Sequence, residues 1–293
     1  MFYRRKILLA LLQTFGGNLH NTDFQKYLFL FTRAQDKPSF DFVPYKYGGF
    51  SFQSYADKRT MAGFGLIEDQ ENWTKKDKKD YFSELSVEDK EIMAKTKQRY
   101  GHLKGKKLVR HVYLNYPYYA VKSEIAGQYL DKDGLAMVDK CRPHQNNYGF
   151  FTIGYEGKTL DYYLNQLVEN NVYVLCDVRR NPISMKYGFS RNQLKETCEK
   201  LGIEYVHFPE LGIESSKRQN LCSRKDYERL FEEYEKKALP ANIKSLEKLY
   251  RLFLDKKRVA ITCFEADHTL CHRHKIAKRI EKQMNRAFKI EHL

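Results

Sequence analysis

The sequence predicts an α/β chain in two parts: an N-terminal winged helix-turn-helix-like domain, then a three-layer α/β domain with a mostly parallel sheet. Three observations predict it. Helical periodicities followed by two short strand-like runs fill residues 1–82. From Gly149 onward, apolar runs of strand length alternate with amphipathic helical patterns, the order of parallel strands joined by crossover helices. Finally, the stretch RVAITCFEADHTLCHRHKIA, residues 258–277, reads as a buried strand, a polar turn and a helix start. That places the turn at the carboxyl end of a sheet, where open α/β folds hold their ligands.

Taken in order, Ile7, Leu8, Leu11, Leu12 and Phe15 recur at helical spacing and Gly16-Gly17 stops the helix. Asn21 or Thr22 is the expected cap of a second helix with Phe24, Tyr27, Leu28 and Phe31 inward. Ser51 or Ser54 starts a third, ended at Gly63 or Gly65, and Gly65–Ile67 with Asn72–Thr74 reads as two strands. In a winged helix the third helix enters a major groove and the wing touches phosphate. Lys46, Gln53, Lys58 and Arg59 near the helix, and Lys75, Lys76, Lys78 and Lys79 on the wing, are then the nucleic-acid contacts. Residues 83–145 read as a helical connector. Ser86 offers a helix start there, Leu108, Val112, Tyr113, Tyr116 and Tyr119 are available for packing between domains, and Cys141–Asn147 serves as linker.

The α/β domain is expected over 149–293. Phe150–Ile153 is its first strand, Thr159 caps a helix with Leu160, Tyr163, Leu164, Leu167 and Val168 inward, and Val172–Cys176 is the second strand. Ser190 with Gln193 suggests a capping box. Glu204–Phe208 is the third strand, helices follow near 224–238 and 242–255, and Lys289-Ile290 suggests a last edge strand.

Two resemblances follow from these residues. FGGNLHNTDFQKYLFLF and FVPYKYGGFSF resemble the winged-helix-type N-terminal region of bacterial proteins with an "lQK-LfL" helix and a "Y-YGP-S" turn. TIGYEGKTLDYYLNQL, the DVRRNPISMKYGFS loop, GIEYVHFPELG and CFEADHTLCHR resemble the bacterial family called domain of unknown function 488, in collinear order over 149–293. That resemblance implies the α/β fold and the positions of a site, and no reaction.

The turns gather groups that titrate or bind anions. Glu156, Asp177, Glu265 and Cys271 are the expected catalytic residues, and Tyr155, Arg179, Arg180, Phe189, Ser190, His272 and Arg273 the expected substrate-binding ones. Three chemistries fit. The carboxylates could act as general acid and base on an N-glycosidic or phosphoester bond, with the arginines on phosphate and Tyr155 or Phe189 stacked on a base. A Cys271 thiol at a helix N-terminus beside His272 and Arg273 should have a lowered pKa and serve as nucleophile. Asp267, His268, Cys271, His272 and His274 match no standard zinc spacing, so no metal and no cofactor is expected.

The net charge of +15 is spread along the chain, +8 of it within residues 1–120. Nucleic acid is therefore the expected partner, DNA ahead of RNA, with a homodimer allowed. All six cysteines lie between Cys141 and Cys271 with no CxxC pair, which fits a reducing compartment. The apolar run behind Arg4–Lys6 is too short and amphipathic for a signal peptide, and no segment suits a membrane span, so a cytoplasmic protein is expected. The leading expectation is an enzyme acting on a base or nucleotide in DNA, in nucleic-acid metabolism or defence against foreign DNA. The runners-up are a winged-helix regulator whose α/β domain senses a nucleotide-like ligand, and a protein-contact module.

Overall fold

A computed structural model describes residues 1–68, 70–218, 223–284 and 288–293; Cys222 and Asn285–Ala287 lie outside the described residues. The chain divides into two compact units, Met1–Arg142 and Pro143–Leu293.

In the first unit the element order is α1 (Tyr3–Thr14), β1 (Asn18–Leu19), α2 (Asn21–Arg33), β2 (Val43–Tyr45), β3 (Gly48–Phe50), α3 (Phe52–Gly63) and β4 (Trp73–Thr74). α4 (Val87–Tyr100), α5 (Gly105–Asn115), α6 (Ala126–Tyr129) and α7 (Lys132–Lys140) follow. Every residue from Ile7 to Leu12 is fully buried, so α1 runs through the middle of the unit rather than along its surface. α2 is likewise buried from Phe24 to Thr32. β4 pairs antiparallel with β1, Leu19 opposite Trp73, and Ile67 bridges to Lys75. Trp73 stacks on Phe24 at 3.6 Å between ring centroids, which pins this small sheet to α2.

Three local expectations change. α2 is capped by His20, whose Nδ1 accepts from Thr22 N at 3.3 Å, because His20 has the extended backbone a cap needs and Asn21 is already helical. FVPYKYGGFSF forms an antiparallel hairpin, Val43 opposite Phe50, turned at Gly48 with φ of 91°. The segment expected as a connector shares the core of the first 82 residues, with Leu85, Met93, Leu108 and Val112 in one cluster with Ile7 and Phe24. Tyr113 belongs to a second cluster with Val109, Ala120 and Leu130.

The second unit comprises β5 (Gly149–Gly154), α8 (Leu160–Glu169), β6 (Val174–Asp177), α9 (Arg191–Lys200), β7 (Glu204–His207), α10 (Arg224–Glu233) and α11 (Leu239–Ala241). α12 (Ile243–Lys256), β8 (Arg258–Cys263), α13 (Arg273–Gln283) and β9 (Ile290–His292) complete it. The five strands run in the order β7-β6-β8-β5-β9 and every pair is parallel. β5, β6 and β8 are buried along their whole length, which is why they read as continuous apolar runs. Phe150, Val174, Val259 and Ile261 pack in one cluster with Leu249, Phe253, Ile276 and Ile280 from α12 and α13.

Thr159 caps α8 as expected, accepting from Tyr162 N at 3.1 Å. The expected capping box at α9 does not form. Ser190 Oγ instead donates to Ser184 O at 2.9 Å, and Gln193 Oε1 accepts from Gly188 N at 3.2 Å, so both side chains brace the preceding loop. Among the described residues, no helix is long and apolar enough to cross a membrane.

Candidate functional site at the carboxyl edge of the sheet

Because all five strands are parallel, the turns after β5, β6, β7 and β8 emerge at one edge. The connection from β5 passes β8 to reach β6 and that from β8 passes β5 to reach β9, so the turns of these adjacent strands share one crevice. In this chain the protein itself fills that crevice. Gly154 approaches the β8 turn so closely that a Cβ there would sit 1.8 Å from Glu265 O. Glu156 Oε2 accepts from Ala266 N at 2.9 Å, and Glu156 N donates to Phe264 O at 2.9 Å. Arg273, 1% exposed, donates to Glu265 O at 2.6 Å and to Ala266 O at 2.9 Å. Glu156, Glu265 and Arg273 are therefore brought together as expected, and Arg273 faces main-chain carbonyls rather than a phosphate.

A second knot follows β6. Asp177 is fully buried and accepts from Arg179 Nε at 2.9 and 3.1 Å, from Arg179 N at 3.0 Å and from Tyr205 Oη at 2.6 Å. Arg179 Nη1 donates to Phe189 O at 2.8 Å and to Tyr155 Oη at 3.1 Å. Tyr155 and Phe189 stack on each other at 4.4 Å, both buried. Neither ring presents a free face to a base, and the guanidinium is enclosed with its carboxylate. Burial, with the Asp177 charge and hydrogen bond behind it, pushes the Tyr205 hydroxyl well up, so Tyr205 stays protonated as the donor to Asp177. Tyr205 is absent from the residues expected on sequence grounds. The signal that could have found it is the alternation along GIEYVH, which turns Tyr205 inward beside Asp177.

A third group lies beneath the β8 turn. Cys263, Cys271 and His272 are buried, and their ligating atoms lie within 4.8 Å of one another. His272 Nε2 lies 3.1 Å from Val178 O. In a neutral imidazole that nitrogen is then the donor, which leaves the lone pair on Nδ1. The Cys263 and Cys271 sulfurs stand 3.9 and 3.8 Å from it. Burial, then the Cys263 thiol and the Glu265 charge, push the Cys271 thiol well above its ordinary range. This corrects the expectation of an activated thiolate: desolvation outweighs the helix N-terminus and Arg273.

The open space lies at the β6–β7 side. A groove of about 400 Å³ is lined by Arg180, Glu210, Gly212, Lys217, Tyr234, Lys237 and Asn242, among others. Gly212 on its wall lets the chain lie directly against the β6 turn, since a Cβ there would lie 2.2 Å from Arg180 N. The Arg180 side chain is 46% exposed and stands 3.7 Å from Glu214, and Lys217 and Lys237 each stand 3.8 Å from Glu233. Arg180 and Glu210, both on turns that the sequence places at this edge, line this groove, and of the expected catalytic and substrate-binding residues Arg180 does. Lys217 and Lys237 escape sequence reasoning because they lie on the segments after β7, far from the strand ends.

Among the expected nucleic-acid contacts of the first unit, Arg59, Lys76 and Lys78 are exposed. Lys46 and Lys79 are about half exposed and paired with Glu124 at 3.1 Å and Glu84 at 2.6 Å. Gln53 donates to Asp57 at 3.2 Å, and Lys75, 9% exposed, pairs with Asp77 at 2.9 Å. Lys58 is 7% exposed and its Nζ donates to Gln70 O at 2.9 Å and Glu71 O at 3.1 Å. It therefore fastens the turn before β4 instead of projecting from α3.

The second unit is thus an open, fully parallel α/β domain whose edge is filled between the β5 and β8 turns and whose groove is offset to one side. Residues 159–280 match the family model described as Domain of unknown function DUF488, within the 149–293 span of the sequence resemblance. No curated protein and no solved structure matches the chain.

Proposed function

We propose that the chain is a nucleic-acid-binding regulator whose α/β unit senses a nucleotide-like ligand in the groove between the β6 and β7 turns. One observation carries this reading. The groove at the carboxyl edge holds three cations, Arg180, Lys217 and Lys237, opposite Glu210, Glu214 and Glu233. Cations suit phosphate, and carboxylates suit the amino and hydroxyl groups of a base and sugar. The carboxylates and guanidiniums that would cleave a bond are, by contrast, hydrogen-bonded to one another or to the main chain, away from the groove. Hydrolysis of an N-glycosidic or phosphoester bond is the second reading.

For the first unit, the order α1, β1, α2, α3 and β4, with Ile67 bridged to Lys75, supports a winged helix with an extra hairpin before α3. Its contacts to phosphate would come from Arg59, Lys76 and Lys78.

The test is a titration of the full chain with nucleoside mono- and triphosphates, followed by duplex DNA and RNA over a salt series. The reading expects saturable nucleotide binding, weakened by Lys237→Glu, and a nucleic-acid affinity that changes when the nucleotide is present. Replacing Lys76 or Lys78 by alanine should lower the salt slope by about one for each phosphate no longer neutralised. Released base or nicks, abolished by Glu156→Gln, would favour hydrolysis. Salt-independent behaviour with no nucleotide bound would leave a protein-contact module.

A further inference from the structure

The buried group under the β8 turn is used by neither reading. Two thiols and one imidazole converge from the end of β8, the turn and the start of α13. In tetrahedral zinc sites Zn–S is about 2.3 Å and Zn–N about 2.0 Å, which separates S from N by about 3.6 Å. The sulfurs here stand 3.9 and 3.8 Å from His272 Nδ1, within a few tenths of that edge. The imidazole is also set as metal-bound imidazoles are. Its far nitrogen is held by a backbone carbonyl, Val178 O at 3.1 Å, which fixes the tautomer and turns the lone pair toward the sulfurs.

We propose that Cys263, Cys271 and His272 are the three protein ligands of a zinc ion, with a water molecule completing the tetrahedron. Binding replaces two S–H protons with one Zn²⁺, so two thiolates, a neutral imidazole and the ion sum to zero. That balance suits a dry interior. Sulfur and imidazole donors together favour zinc over magnesium or calcium. The bare cluster has a different account, two thiols donating weakly to one imidazole, and the experiment separates the two.

The reduced, chelator-treated full chain is titrated with cobalt(II) and followed by absorption. The proposal expects a thiolate-to-metal charge-transfer band and the strong visible bands of a tetrahedral centre, saturating at one equivalent and displaced by zinc. Cys263→Ser and Cys271→Ser should each weaken binding by more than about 100-fold, since even the loss of an outer-shell partner costs 10–100-fold. Cys141→Ser should leave the spectrum unchanged. Zinc should raise the melting temperature of the wild-type chain and not that of Cys263→Ser. Absence of the charge-transfer band in the wild-type chain, or its survival in the Cys263→Ser/Cys271→Ser double variant, overturns the proposal. Should the variants fail to fold, the wild-type spectrum decides alone, because an intensity for no thiolate excludes the site and for two supports it.

Discussion

Arg179→Ala separates a packed knot from a working site. Asp177 is fully buried, and four hydrogen bonds to it, at 2.5 to 3.1 Å, come from Arg179, three from the side chain and one from the main chain. The substitution leaves Tyr205 and the backbone N–H but removes the countercharge. Breaking a buried pair by deleting one partner costs about 3–5 kcal/mol, because the remaining charge has no solvent. It also removes the donors to Tyr155 Oη and Phe189 O, so the upper half of that range is expected. The chain has two units and a single tryptophan, Trp73, in the first, so its fluorescence serves as an internal control. Hydrogen exchange at β6 and β8 reads the second unit. A loss of about 3–5 kcal/mol predicts exchange there faster by about 150- to 5,000-fold, with Trp73 unfolding unchanged. A change below about tenfold would refute the reasoning and return Arg179 to the pool of ligand-binding residues.

Three further outcomes follow from the geometry. Gly154→Ala places a methyl group 1.8 Å from Glu265 O, so the β5 and β8 turns must part; a loss of at least about 2 kcal/mol is expected in the same exchange measurement. Lys26 is buried and its pKa is pushed down to about 7, chiefly by desolvation and against the pull of Asp23. Between about pH 7 and the ordinary lysine range the unfolded chain binds the extra proton, so the first unit should gain stability as pH rises, with Trp73 fluorescence in urea reporting it and Lys26→Met flattening the rise. Cys271, buried with its thiol pushed up by desolvation, should resist alkylation at neutral pH in the folded chain, while half-buried Cys141 reacts first, as peptide mass spectrometry after a short iodoacetamide pulse would show.

The strands and their edge were legible in the sequence, and the bonding at that edge was not. Phe150–Ile153 and Val259–Cys263 announce themselves because a strand buried on both faces has no polar alternation. The turns at their ends follow from a parallel order. What spacing cannot carry is whether a charged group aims at a guest or at its neighbours. Asp177 and Arg179 read identically in either case, and it is Tyr155, Phe189 and Tyr205, from other turns and strands, that close the pair in. Lys58 has the spacing of an outward lysine on a helix, yet the carbonyls that draw it inward belong to a turn beyond that helix. Cys271 resists such reading because the helix N-terminus is visible in sequence and desolvation is not. Gly154 and Gly212 were the nearest thing to a warning, since each lacks a side chain at a point where two main chains meet.

β5 lies between β8 and β9, Gly149 facing Arg258 on one side and Phe150 facing Ile290 on the other. Both neighbours are made after it. During synthesis the first unit, a compact body within the first 142 residues, is free to fold early. The apolar segment Gly149–Gly154 must wait, unpaired, until β8 leaves the ribosome. In that interval it is the stretch of this chain most in need of a chaperone, and the late closure of such distant pairings sets the pace of maturation.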